Sequence, residues 1–188
     1  MKKIVIYIVF SFLCISFANA QEIDNKFSFG INIKGFYAGI ELTAEHPLSD
    51  KIMLQTSFGV NSFQYGKMNY SNNELMFRFR YFKQEEPKGL NFGPYFKLKS
   101  SYYGKSSDTA SYYIHETAIY FAGVGFHTGY RFLLGKNKHF LVEPFVGIGV
   151  NIVLASDDIM VLDKTNYSKI YKDIEPDFQA GIGLAWSF

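Results

Sequence analysis

Beyond position 14 the chain contains no cysteine. Cys14 itself lies inside an apolar leader, so the exported protein is expected to carry no disulfide, no thiol chemistry and no thiolate metal site. Excess charge is also missing. Of 19 Lys and Arg residues two, Lys2 and Lys3, belong to the leader, which leaves 17 against 17 Asp and Glu. Such balance gives nucleic acid no bulk electrostatic reason to bind. After the leader no run reaches the ~18 apolar residues of a membrane-crossing helix. No segment of useful length repeats with helical period, and no low-complexity tract interrupts the chain. His46, His115 and His139 are scattered, so no metal constellation is expected. Asp157, Asp158 and Asp163 match no calcium-loop spacing and read as solvated loop charge.

What is present is a leader and a strongly alternating body. Residues 1–20 have the form of a secretory signal peptide. Lys2 and Lys3 start it, a near-continuous apolar run follows, and Ala18-Asn19-Ala20 offers a small-residue cleavage site. Residues 21–188 then form one expected domain, in a chain that is 19% aromatic. Its last eleven residues show the pattern best. Phe178, Ala180, Ile182, Leu184, Trp186 and Phe188 alternate with Gln179, Gly181, Gly183, Ala185 and Ser187. A period of two marks a β-strand with one apolar face. Eleven residues suit a tilted strand crossing a bilayer, which needs about 9–11.

Eight segments alternate in this way: residues 27–34, 36–46, 51–65, 74–82, 90–102, 119–134, 140–154 and 178–188. Counted back from the C-terminus, the connections run long, short, long, short, medium, short and very short. This rhythm predicts an all-β fold, an eight-stranded antiparallel up-and-down transmembrane barrel with short turns at one end and longer loops at the other. The tight turn at Lys34 and Gly35 leaves residues 27–45 readable as two strands or as one bent strand. Residues 66–73 read as a loop. Apolar patches at 159–162 and near Ile170 and Tyr171 are expected to pair as a hairpin above the membrane.

Composition of the second face decides which side points outward. Between the large apolar residues lie Gly123, Gly125, His127, Gly129 and Arg131, then Gly147, Gly149 and Asn151, then Gly181, Gly183 and Ser187. Glycine weakens a strand and is kept where another group crowds it. A narrow lumen filled by side chains has that requirement; a solvated outer face does not. The charges agree, since Glu41, Glu45, Arg78, Arg80, Lys97, Lys99, Arg131 and Glu143 share the glycine-bearing parity. These eight are expected to form a buried ion-pair network in the lumen, because charges held there must be paired. Aromatics near strand ends would form two girdles, Phe27, Tyr81, Phe132, Phe140, Trp186 and Phe188 at one level and Phe36, Tyr102 and Tyr120 at the other. Pro94 and Pro144 are expected at bulges, where a missing donor costs little.

Catalytic signals are thin. His127 is expected on the lumen face, bonded to a carboxylate. It is followed by Thr128-Gly129-Tyr130, not by the Ser-Asn of an His-x-Ser-Asn deacylase pattern, and nothing local marks a serine partner. The Gly-x-Gly pairs lie within strands and open no helix, so they form no phosphate cradle. No catalytic, cofactor-binding or metal-binding residue is assigned.

The stretches Gly39-Ile40-Glu41-Leu42, 123–134, 143–151 and 178–188 give the chain a resemblance to the small eight-stranded outer-membrane proteins of the OmpA/OmpX-like superfamily. It is most similar to the uncharacterised outer-membrane β-barrel-domain proteins. The resemblance implies the outer membrane of a Gram-negative bacterium, both termini in the periplasm, and contact with outer-membrane lipid and lipopolysaccharide. It also implies that Leu184, Trp186 and Phe188 form a C-terminal insertion signal read by the barrel-assembly machinery. The expected role is a non-enzymatic barrel with a polar, plugged lumen and loops for envelope integrity, adhesion or partner binding. A narrow channel for small or apolar solutes, a lipid-modifying enzyme using His127, and a soluble periplasmic lipid carrier are the alternatives.

Overall fold

The computed structural model describes residues 27–35, 39–65, 68–84, 87–105, 113–114, 117–156, 161–162 and 174–188. The proposed leader, Phe36 of the upper girdle, and Ile170 and Tyr171 lie outside the described residues. The elements are β1 (Ser28–Lys34), β2 (Gly39–Ser49), β3 (Ile52–Tyr65), β4 (Met68–Phe82), β5 (Gly89–Lys105), β6 (Tyr113–Ile114), β7 (Thr117–Leu134), β8 (Phe140–Ser156), β9 (Val161–Leu162) and β10 (Ile174–Ser187). Eight of them close into an antiparallel barrel in the order β1-β10-β8-β7-β5-β4-β3-β2, and β6 pairs separately with β9. Residues 27–45 therefore hold two strands, β1 and the start of β2, joined through Gly35.

Period-two alternation sets the wall's two faces. Phe178 and Ile148 are each 60% exposed on the exterior, whereas Gln179 beside Phe178 is 5% exposed within. The same division holds around the barrel: Ile31, Leu42, Phe58, Phe96, Val124 and Ile182 face out, while Asn32, Glu41, Ser57, Lys97 and Arg131 are buried inside. A water-soluble barrel has the reverse arrangement. An exterior of Phe, Ile, Leu and Val around a polar interior fits only an apolar solvent, so this is a membrane-spanning barrel. No helix among the described residues is long and apolar enough to cross a membrane, and the crossing is made by strands.

Closure brings the chain ends together. Ser28 of β1 is opposite Ser187 of β10, and Phe29 is opposite Trp186. The Phe188 N–H donates to the Phe27 carbonyl at 3.0 Å, and the Ser187 N–H to the His139 carbonyl at 2.8 Å. His139 Nδ1 donates back to the Ser187 carbonyl at 2.8 Å. Trp186, 51% exposed, stacks on the His139 ring at 5.9 Å and lies 6.5 Å from the Phe140 ring. Phe188 meets Phe29 edge-on at 6.4 Å. The terminal aromatics thus sit in one cluster at the end of the barrel that carries the short turns.

Three findings depart from the expectations or add to them. Residues 68–73 are not a loop: β4 starts at Met68 and the β3–β4 ladder continues to Tyr65 opposite Met68. Likewise β10 begins at Ile174, four residues before the alternation becomes evident. Above the hydrocarbon both faces meet water, so the backbone keeps pairing where the side chains no longer need an apolar period. Second, Val161 and Leu162 have a partner that was not expected, Ile114 and Tyr113 of another connection, while the expected partners Ile170 and Tyr171 lie outside the described residues. Third, neither proline sits at a bulge. The β4–β5 register is the same on both sides of Pro94, as is the β7–β8 register around Pro144; each ladder only omits two residue pairs there. Register shifts occur elsewhere, at Pro47/Ser49 and at Tyr120/Phe121.

Candidate functional site: the lumen network

Strand alternation carries every second side chain of β1 to β5, β7, β8 and β10 into the lumen, and the charged ones meet in tiers. At the terminal end Arg80 of β4 and Arg131 of β7 face Glu45 of β2 and Glu143 of β8. Arg80 pairs with both carboxylates. Arg131 reaches Glu45 at 2.6 Å and Glu143 at 2.8 Å. Gln55 Nε2 donates at 2.9 Å to Glu45 Oε1, the oxygen both guanidinium groups share, Ser28 Oγ donates to Oε2 at 2.8 Å, and Asn91 Nδ2 donates to Glu143 at 3.1 Å. Both guanidinium groups also lie over the Phe82 ring, at 5.4 and 5.0 Å, and Phe82 has no exposed surface.

Gln55 joins this tier to the next, since its Oε1 accepts from Arg78 at 2.8 Å. Arg78 pairs with Glu41 at 3.2 Å and donates to Gln179 at 3.2 Å. Asn32 supplies Glu41 with a further donor at 2.9 Å. Farther from the termini, Lys34 pairs with Glu41 and, at 2.5 Å, with Glu74. Lys97 holds Asp177 at 2.6 Å and Glu74 at 3.4 Å. Asp177 accepts from the Tyr95 hydroxyl at 2.5 Å and from Gln179 at 2.9 Å. Five cations (Lys34, Arg78, Arg80, Lys97, Arg131) meet five carboxylates (Glu41, Glu45, Glu74, Glu143, Asp177) in one connected network.

Glycines make the space for it. A Cβ added at Gly125 would strike the Tyr95 ring, and one at Gly149, opposite it across β7 and β8, would strike the Tyr95 hydroxyl. A Cβ at Gly123 would come within 2.9 Å of the Lys97 stem. At Gly129 it would come within 2.7 Å of the Glu143 carboxylate. The bare backbone at these positions is the recess into which an opposing side chain fits. A cavity of about 20 Å³ lies among Glu45, Arg78, Arg80, His127, Arg131 and Glu143. That is room for about one water molecule.

Seven of the eight charges expected in the network belong to it: Glu41, Glu45, Arg78, Arg80, Lys97, Arg131 and Glu143. Lys99 does not join an ion pair among the described residues; its ammonium lies 4.9 Å over the buried Phe121 ring. Lys34, Glu74 and Asp177 were absent from the expected set because each falls at or beyond the end of an alternating segment. Strand parity alone places them inward once the strands are given their true lengths. Phe82 and Tyr95 are large, inward-facing aromatics on the polar parity, and no composition rule marks them. His127 is buried as expected but is not bonded to a carboxylate. Its ring lies against the Gly93 backbone without a well-formed hydrogen bond. No hydroxyl or carboxylate among the described residues therefore activates it as a base. Among the described residues no group of His, Cys, Asp and Glu is arranged to hold a metal ion.

The family model described as "Protein of unknown function (DUF3575)" matches residues 6–184. The chain belongs to the DUF3575 family. No curated protein matches it. Among solved structures it is similar to the N-terminal β-barrel domain of Pseudomonas aeruginosa OprF, with 16% identity, 87% of this chain and 98% of that one covered, and a TM-score of 0.45. It is also similar to a major outer membrane protein of Thermus thermophilus, with 16% identity, 88% and 100% coverage and a TM-score of 0.48. Acinetobacter baumannii CarO follows with 10% identity, 89% and 99% coverage and a TM-score of 0.42. The closed sheet and inverted polarity of this DUF3575 member make its architecture that of an eight-stranded membrane-spanning β-barrel.

Proposed function

We propose that the protein is a non-enzymatic, integral outer-membrane barrel whose lumen is a structural plug and whose work is done by surfaces outside it. Both termini lie in the periplasm in this reading, and the long connections face the exterior, where they serve envelope integrity, adhesion or partner binding. Lipid and lipopolysaccharide surround the belt. The barrel-assembly machinery reads the end of β10, with Leu184, Trp186 and Phe188 as the signal.

The observation that carries this reading is the balanced network and the single-water cavity within it. Solute passage would require several buried ion pairs to separate together. Breaking one buried pair by removing a partner costs about 3–5 kcal/mol. A barrel built for conduction keeps an aqueous path, and eight strands leave a lumen that side chains nearly fill. The test is single-channel recording in planar bilayers with refolded protein. Absence of discrete conductance steps is the expected result. Reproducible steps in the wild-type protein would favour the narrow-channel reading and overturn the plug.

A further inference from the structure

Above the belt the outer face of the wall changes chemistry without gaining charge. The last hydrocarbon row across β3, β4, β5 and β7 is Phe58, Leu75, Leu98 and Ala122. The next outward row reads Val60, Asn73, Ser100 and Tyr120. The one after it reads Ser62, Ser71, Tyr102 and Ala118. Tyr120 is twelve residues along β7 from Phe132. At ~3.3 Å per residue and ~40° tilt, that places it about 30 Å higher, beyond a belt ~25 Å tall. Ser62, Asn73, Tyr102 and Tyr120 are exposed there.

The eight positions of these two rows hold no Asp, Glu, Lys or Arg. A water-facing surface carries such residues at about 25–35% of positions, so about two or three of the eight would be charged on an ordinary solvated wall. The charges at this level turn inward: Glu74 is buried, and the Lys99 ammonium lies over the Phe121 ring. An aromatic girdle accounts for the two tyrosines. It does not account for amides and hydroxyls in place of Lys and Arg, the residues that meet phosphate. Tyr102 and Tyr120 are diagonal neighbours on adjoining strands, about 7–8 Å apart. Each has a small residue opposite it, Ala118 and Ser100, which leaves its ring uncovered by that cross-strand partner. In the belt the rings pack on one another instead, Tyr81 on Phe92 at 5.4 Å and Phe92 on Phe126 at 6.2 Å. At the level of Tyr120 the β7–β8 register also shifts, with Phe121 opposite Val153 and Tyr120 opposite Ala155. Such irregularities re-aim side chains and recur beside binding sites.

Tyrosine rings with Ser and Asn beside them supply flat amphipathic contact and adaptable hydrogen bonds. That combination suits a neutral saccharide and offers phosphate no cation. We propose that this face docks the neutral core sugars of lipopolysaccharide. Their pyranose rings lie against Tyr102 and Tyr120, and their hydroxyls bond Ser71, Asn73 and Ser100. In the outer leaflet these sugars stand beside the wall at this height. The inference rests on the outer-membrane orientation proposed above and names the part of lipopolysaccharide that this surface meets.

The test holds the folded barrel in an amine-oxide detergent, which carries no sugar, and titrates it with dye-labelled lipopolysaccharide read by fluorescence anisotropy. Two preparations are compared, one with a complete neutral core and a deep-rough one reduced to lipid A and its acidic sugars. The wild-type protein is expected to bind the complete form about tenfold more tightly. Tyr102→Ser combined with Tyr120→Ser is expected to abolish that ratio and leave the affinity for the deep-rough form unchanged. Equal wild-type affinity for the two forms, or binding to neither, overturns the proposal. So does a double variant that keeps the ratio, or one that weakens both forms alike, which is the behaviour of a plain interfacial girdle. Asn73→Ala combined with Ser71→Ala is read in its place if the tyrosine variant lacks a heat-modifiable folded band. A wild-type protein that stays monomeric without detergent overturns the membrane-barrel reading, and the proposal with it.

Discussion

Glu45→Gln tests the energetic logic of the lumen most directly. The substitution keeps the size and one acceptor oxygen but removes a charge shared by two guanidinium groups. Glu45 is 1% exposed, and Arg80 and Arg131 are 2% and 4% exposed, so water does not replace what is lost. Glu143 would then face two cations alone. Removing one partner of a buried ion pair costs about 3–5 kcal/mol. The lower end applies here, because Gln retains a hydrogen-bonding oxygen for Arg131 and the Phe82 ring stays beneath both cations. We expect a loss of about 3 kcal/mol, roughly a hundredfold in the unfolding equilibrium. Adding Arg131→Met restores one cation to one anion, Arg80 to Glu143, and recovers about 2 kcal/mol of it, within the range known for directly coupled neighbours. The assay is urea unfolding in lipid vesicles, followed by the fluorescence of the single tryptophan, Trp186. Salt should change the result little, since buried pairs are poorly screened. A loss below ~1 kcal/mol for Glu45→Gln, or a double variant whose losses simply add, would refute the claim that charge pairing holds this lumen together.

Two further outcomes test the wall. Ile148→Arg, on the outer face midway along β8, should destabilise the vesicle-bound barrel by about 2–4 kcal/mol, whereas Leu154→Arg near the strand's far end should cost about 0–1 kcal/mol, both by the same urea assay. Gly125→Val should cost about 1–3 kcal/mol through collision with the Tyr95 ring. The same substitution at Gly135, where no atom lies within 4 Å but φ is +85°, should act through backbone strain alone, read as a drop in unfolding midpoint of the same size in the wild-type and Tyr95→Phe backgrounds.

Much of the fold was legible because two solvents act on one strand. Lipid outside and a crowded polar interior impose opposite demands on successive residues, and the demand is written as period two. It located the belt segments of all eight barrel strands, the inward direction of Glu41, Glu45, Arg78, Arg80, Lys97, Arg131 and Glu143, and the role of Gly125 and Gly149 as recesses. Legibility failed where that pressure ends. Residues 68–73 and 174–177 continue their strands above the belt, where no apolar period is required, and Glu74 and Asp177 were lost from the network with them. Pro94 and Pro144 were expected to need a bulge, yet an antiparallel ladder omits two pairs and resumes in register.

The amino-acid order by itself settled which face of each belt strand looks at hydrocarbon, since alternation is a local property that every strand carries alone. It could not say which carboxylate each cation meets, because those partners are up to 86 residues apart and are chosen by how eight strands are staggered around the closed wall. Nor could it show where neighbouring strands stop relative to one another, β10 pairing with β8 from Ile174 but with β1 only from Gly181, a relation that exists only once the barrel has closed.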